Sequence, residues 1–120
     1  NELIEETLKN LNIPCKHIMY NGKERPYITY FEANNYDEDY TDDEAETNTH
    51  SLQIDLWSKK DERDLINKIK KALKEVFYDV TYQELYEDAT EIYHTAFRCY
   101  FYEEKEWFNW QELKELRIFI

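Results

Sequence analysis

The sequence predicts an α+β fold: a mainly antiparallel sheet of about five strands, one main amphipathic helix packed on it, a short N-terminal helix and a C-terminal arm. Three observations lead there. Residues 49–58 and 93–103 alternate in hydropathy with the period of two that a strand requires, and residues 61–76 repeat at helical spacing. The 120 residues also contain only 1 Gly and 2 Pro, which argues against both a glycine-loop nucleotide fold and a long flexible linker. The length suits one domain with one core, placed at 1–103, followed by the arm at 104–120.

Taken in order, Leu3, Ile4, Leu8 and Leu11 form the stripe of a short amphipathic helix, which Asn12 and Pro14 end. Residues 16–20 read as a strand, Asn21-Gly22 as a hairpin turn and residues 27–33 as the returning strand. Residues 34–48 show no periodicity and crowd like charges together, among them Asp37, Glu38, Asp39, Asp42, Asp43 and Glu44. That composition reads as an extended, mobile loop. Over 49–58, His50, Leu52, Ile54 and Leu56 face one way and Ser51, Gln53, Asp55 and Trp57 the other.

The main helix spans 61–76, with Asp61 as its N-cap and Leu65, Ile69, Ala72, Leu73 and Val76 as its buried stripe. Acidic residues stand in its first turn and lysines late in it, as the helix dipole favours. Residues 77–87 and 93–103 supply two more strands, joined around Asp88-Ala89-Thr90. In the second, Tyr93, Thr95, Phe97, Cys99 and Phe101 alternate with His94, Ala96, Arg98, Tyr100 and Tyr102. In the arm, Trp107, Trp110, Leu113, Leu116 and Ile120 cover one side at helical spacing, although its last four residues suit a strand equally.

The net charge of -12, from 27 acidic and 15 basic residues, repels phosphate backbones and argues against direct nucleic-acid binding. The same charge fits a decoy, an inhibitor or immunity protein that masks a basic or nucleic-acid-binding partner. No apolar run approaches the ~20 residues that cross a bilayer, and residues 1–11 do not read as a signal peptide, so the chain is expected to be soluble and free of membranes. Aromatic residues make up 17% of it, more than a domain of this size buries, and Tyr and Trp are favoured at interface hot spots. Trp57, Tyr100 and Tyr102 alternate away from the aliphatic side and are candidates for such contacts, as are Trp107, Trp110 and Leu113 of the arm.

Catalytic and metal chemistry find little footing. An EF-hand loop counted from Asp37 would need Gly at its sixth place and Glu at its twelfth, but Asp42 and Asn48 stand there. His17, His50 and His94 lie in no metal-ligand spacing, and Cys15 and Cys99 form no paired motif. Two free thiols in a reducing compartment are the expected state. Neither a catalytic residue nor a metal or cofactor is assigned.

Tyr27-Ile28-Thr29-Tyr30-Phe31-Glu32, the acidic segment, Gln53-Ile54-Asp55-Leu56-Trp57-Ser58-Lys59 and the helix that follows resemble the small tail-completion proteins of long-tailed phages. Glu84-Leu85-Tyr86-Glu87 and Tyr93-His94-Thr95-Ala96-Phe97-Arg98 continue the pattern, which covers residues 2–102. The strand ending Asp-hydrophobic-Trp-Ser directly before a helix is its most specific part. The resemblance implies a tail terminator, or tail-to-head joining protein, that caps the tail tube as a hexameric ring. The implied partners are other copies of the chain, the tail-tube protein and the head connector or head-completion protein. The implied location is the tail or neck of the virion, assembled in the host bacterial cytoplasm. No catalytic residues carry over, and the arm lies outside the pattern.

Overall fold

The computed structural model describes residues 2–22, 25–41 and 44–104. Its elements are α1 (Glu2–Leu8) with a 3-10 turn (Lys9–Leu11), β1 (Cys15–His17), β2 (Tyr27–Thr41), β3 (Glu44–Ser58), α2 (Arg63–Val76), β4 (Tyr78–Glu87) and β5 (Ile92–Glu104). The five strands form one sheet in the order β1-β2-β3-β5-β4, antiparallel throughout except for β1, which runs parallel to β2. The α+β expectation holds. No helix among the described residues is long and apolar enough to cross a membrane.

Both helices lie on one side of the sheet. A helix as short as α1 is marginal alone, so packing holds it: Ile4 and Leu8 are buried in the core, and Tyr30 Oη donates a hydrogen bond to the Glu5 carboxylate. Asn12, in the left-handed conformation at φ 56°, ends the segment, a conformation that Asn tolerates. From α2, Ile66, Ile69 and Leu73 meet Leu52, Ile54 and Leu56 of β3 and Phe97 and Cys99 of β5. Each fully buried side chain of this kind stabilises the fold by about 1.5–3 kcal/mol.

Several sequence expectations are corrected. Asn21-Gly22 closes no hairpin: Gly22 has no positive φ, as a primed turn would need, and the strand before it pairs parallel with β2. Gly22 instead gives room to Tyr20, whose Oη would lie 2.0 Å from a Cβ at that position. The acidic stretch is not a loop. β2 and β3 continue through it as a two-stranded ribbon, paired from Asp37 with Asn48 to Thr41 with Glu44. β5 reaches only to Thr47, so the ribbon runs on past the sheet. Backbone pairing prevails there over unfavourable composition, because the register is already set by the apolar half of the same strands.

The main helix begins at Arg63, with Glu62 rather than Asp61 at the cap and no side-chain capping bond. Its buried stripe includes Ile66, while Val76 is exposed. The stripe is rotated toward β4, where Arg63 pairs with Glu84, Lys70 lies over the Tyr82 ring and Ile66 lines a hollow with Glu84 and Tyr86. The arm, apart from Glu104 at the end of β5, lies outside the described residues.

Candidate interaction face

Strand parity divides the sheet into two faces. Leu52, Ile54 and Leu56 point under the helices, so Thr49, Ser51, Gln53, Asp55 and Trp57 point the other way. Register adds His94, Ala96, Arg98, Tyr100 and Tyr102 from β5, Tyr27, Thr29 and Phe31 from β2, and Tyr78, Thr81, Gln83 and Leu85 from β4. Among the described elements no helix covers this second face.

One end of the face carries a row of stacked rings. Trp57 lies against His94 with centroids 3.9 Å apart and planes 8° from parallel, and Tyr27 stacks on its other side at 6.3 Å. Tyr20 and the Arg25 guanidinium extend the row over Tyr27, at 5.0 Å and 4.8 Å from the ring centroid. Trp57 Nε1 donates to Thr29 Oγ1 at 3.0 Å, which fixes the indole across β2 and β3.

A polar chain runs from that row along the strands. His94 Nε2 and Asp55 Oδ1 are 2.7 Å apart, and Gln53 Nε2 donates to the same Asp55 oxygen at 3.0 Å. Arg98 Nη2 donates to Gln53 Oε1 at 2.9 Å, and Arg98 Nη1 reaches Ser51 Oγ at 3.3 Å. Asp55 is only 4% exposed, so these bonds take the place of water around its carboxylate. Between β3, β5 and β4 the surface dips into a groove of about 480 Å³ whose lining includes Gln53, Thr81, Gln83, Leu85, His94 and Arg98. At the far end Tyr78 and Tyr102 meet at 5.2 Å, and Tyr102 Oη donates to Asp79 Oδ2 at 3.3 Å.

The structure brings Trp57, Tyr100 and Tyr102 to this one face, Trp57 at the stacked row and the tyrosines at the opposite end. Asp37, Glu38, Asp39 and Glu44 sit on the ribbon backbone. Asp42, Asp43, Trp107, Trp110 and Leu113 lie outside the described residues. Reading from the sequence missed Tyr27, Tyr78 and the Asp55–Gln53–Arg98 chain. Alternation does place Asp55 and Arg98 on the same side as Trp57, but it does not reveal that Gln53 bonds to both.

The remaining reactive groups point away from nucleophilic chemistry. Cys15 and Cys99 are free thiols. Burial pushes the Cys99 thiol up to about 12; burial and then the Glu5 carboxylate push Cys15 up to about 11. His50 is on the helix-covered side, 2.5 Å from Glu32 and 3.8 Å from Glu103. Among the described residues no three His, Cys, Asp or Glu side chains form a metal-binding group. Flat rings beside charged and amide groups in a partly desolvated setting are the surface chemistry of protein docking.

Comparison with protein families matches residues 17–102, more than half of the chain, to the family described as tail completion protein gp17. Comparison with curated proteins returns no match. The chain belongs to the tail-completion family of phages, and is thereby a structural component of the virion that works in the tail against other tail or head proteins.

Proposed function

We propose that this tail-completion protein caps the tail tube as a hexameric ring, stops tube growth and presents a surface to the head connector. The observation that carries the reading is the contrast between the two sides of the sheet. A ring closes through a heterologous interface, in which two unlike patches of each subunit meet around a rotation. The open aromatic face and the helical side are two such patches. A net charge of -12 suits the wall of a channel through which DNA passes without adhering.

The test is the solution mass by light scattering, at low and physiological salt, alone and mixed with tail-tube protein. A hexamer, or a complex formed with the tube protein, is the expected result. A chain that stays monomeric and ignores the tube protein sinks the proposal. If it instead bound a basic protein with steep salt dependence, the function would be that of an acidic decoy.

A further inference from the structure

We propose that the open sheet face receives residues 105–120 of a neighbouring copy, so that subunits join by passing the C-terminal arm from one to the next. This rests on the ring reading and names the contact that would close it.

The receiving side carries exposed apolar side chains at its edge strand. Tyr78 is 61% and Leu85 44% exposed, and both stand on the open face at the edge strand. The groove beside Leu85 is also lined by Arg98, whose guanidinium is bonded to the neutral Gln53 and Ser51 side chains and has no carboxylate partner among the described residues. A partner for this face therefore brings apolar side chains together with a carboxylate or carbonyl oxygen.

Residues 105–120 have that chemistry. Trp107, Trp110 and Leu113 repeat on one side at helical spacing, and Glu106, Glu112 and Glu115 supply carboxylates. The segment is also balanced, with Lys105, Lys114 and Arg117 against those three glutamates. In a chain of net charge -12 it can approach another copy without the repulsion that the acidic ribbon would meet. Sixteen residues span about 24 Å as a helix at 1.5 Å per residue, enough to lie across several strands spaced about 4.8 Å apart.

The donor is placed on a neighbour by the way the chain leaves the sheet. β5 ends at Glu104, paired with Thr47 beside the start of the acidic ribbon. The residues there, Glu103-Glu104-Lys105-Glu106, include none of the Gly, Pro, Asn, Asp or Ser that tight reversals use. Laying the arm on its own sheet face would require a reversal at that point. Carrying the chain onward delivers it to the next subunit.

Complementation between two full-length variants tests this. Trp107→Ser with Trp110→Ser spoils the arm and leaves the face intact; Tyr78→Glu with Leu85→Glu spoils the face and leaves the arm intact. The changes on the face fall on exposed side chains, and circular dichroism with cooperative unfolding checks that both variants are folded. Light scattering is expected to show wild-type rings, each variant alone as a monomer, and a dimer in the equimolar mixture, where one arm–face contact is whole. A mixture that stays monomeric means that each arm serves its own subunit and overturns the exchange. Variants that still form full rings overturn it too, while leaving the ring itself standing. A wild-type chain monomeric both alone and with tail-tube protein removes the ring reading, and the exchange with it.

Discussion

β3 and β5 build two unlike surfaces from the same backbone. On the covered side, Leu52, Ile54, Leu56, Phe97 and Cys99 are at most 1% exposed and belong to one apolar cluster with the helices. On the open side, one residue out of step, His94, Asp55, Gln53 and Arg98 are bonded in a chain in that order, and Trp57 stacks between Tyr27 and His94. The covered side draws its stability from area removed from water. The open side relies on cross-strand pairs worth roughly 0.2–1 kcal/mol each, which hold its rings and polar groups in position. A strand that must both support a core and present a binding surface can do so because parity keeps the two tasks on different atoms.

Substitutions on the two sides should therefore differ in scale. Phe97→Ala, at the centre of the covered side, is expected to cost about 3–5 kcal/mol in denaturant unfolding; a loss below 1 kcal/mol would mean that this side is not the main source of stability. Asp55→Ala strips His94 and Gln53 of their acceptor and is expected to cost about 1–3 kcal/mol. Asp55→Asn, which keeps an acceptor oxygen, should recover part of that. An equal loss in both variants would locate the effect in the negative charge instead.

A pH series probes the covered side through its thiols. Cys99 and Cys15 hold their protons more tightly in the folded chain than at the ordinary value of 9.0, so their contribution to stability is complete below pH 9. It is lost as pH rises through about 11 for Cys15 and about 12 for Cys99. Between pH 9 and pH 11 the melting temperature should fall less steeply in Cys99→Ala than in the parent chain; equal slopes would show that the thiol is not linked to folding. Tyr78→Glu, on the open side, should shift unfolding by no more than about 0.5 kcal/mol. A larger shift would make that face part of the core.

Most of the covered side was legible in the sequence, because burial imposes a period. The alternation of 49–58 and 93–103 and the repeat of 61–76 lead to β3, β5 and α2 within a few residues. Ile66 escaped because the stripe of α2 turns toward β4, a neighbour that helical spacing alone does not reveal. The ribbon beyond Asn34 was misread for the opposite reason: residues 34–48 carry no hydropathy period, so their backbone pairing leaves no pattern in residue type. Asn21-Gly22 misled by being a strong local turn signal in a stretch where β1 joins the sheet through a parallel contact. The open face was half legible, since parity groups Trp57 with Tyr100 and Tyr102, but lateral hydrogen bonds between strands carry no mark in sequence.

The edge formed by β4 bears on how such subunits can multiply. Its ladder slips between Tyr78 and Thr81, where Asp79 takes a positive φ of 50°, and Glu84 and Glu87 add carboxylates further along. A bent, charged border is a poor template for another strand. Backbone-to-backbone stacking, which can repeat without limit, is thereby discouraged along β4. The proposed ring would therefore have to use side-chain surfaces, whose fixed geometry sets the rotation between copies and so decides whether growth closes.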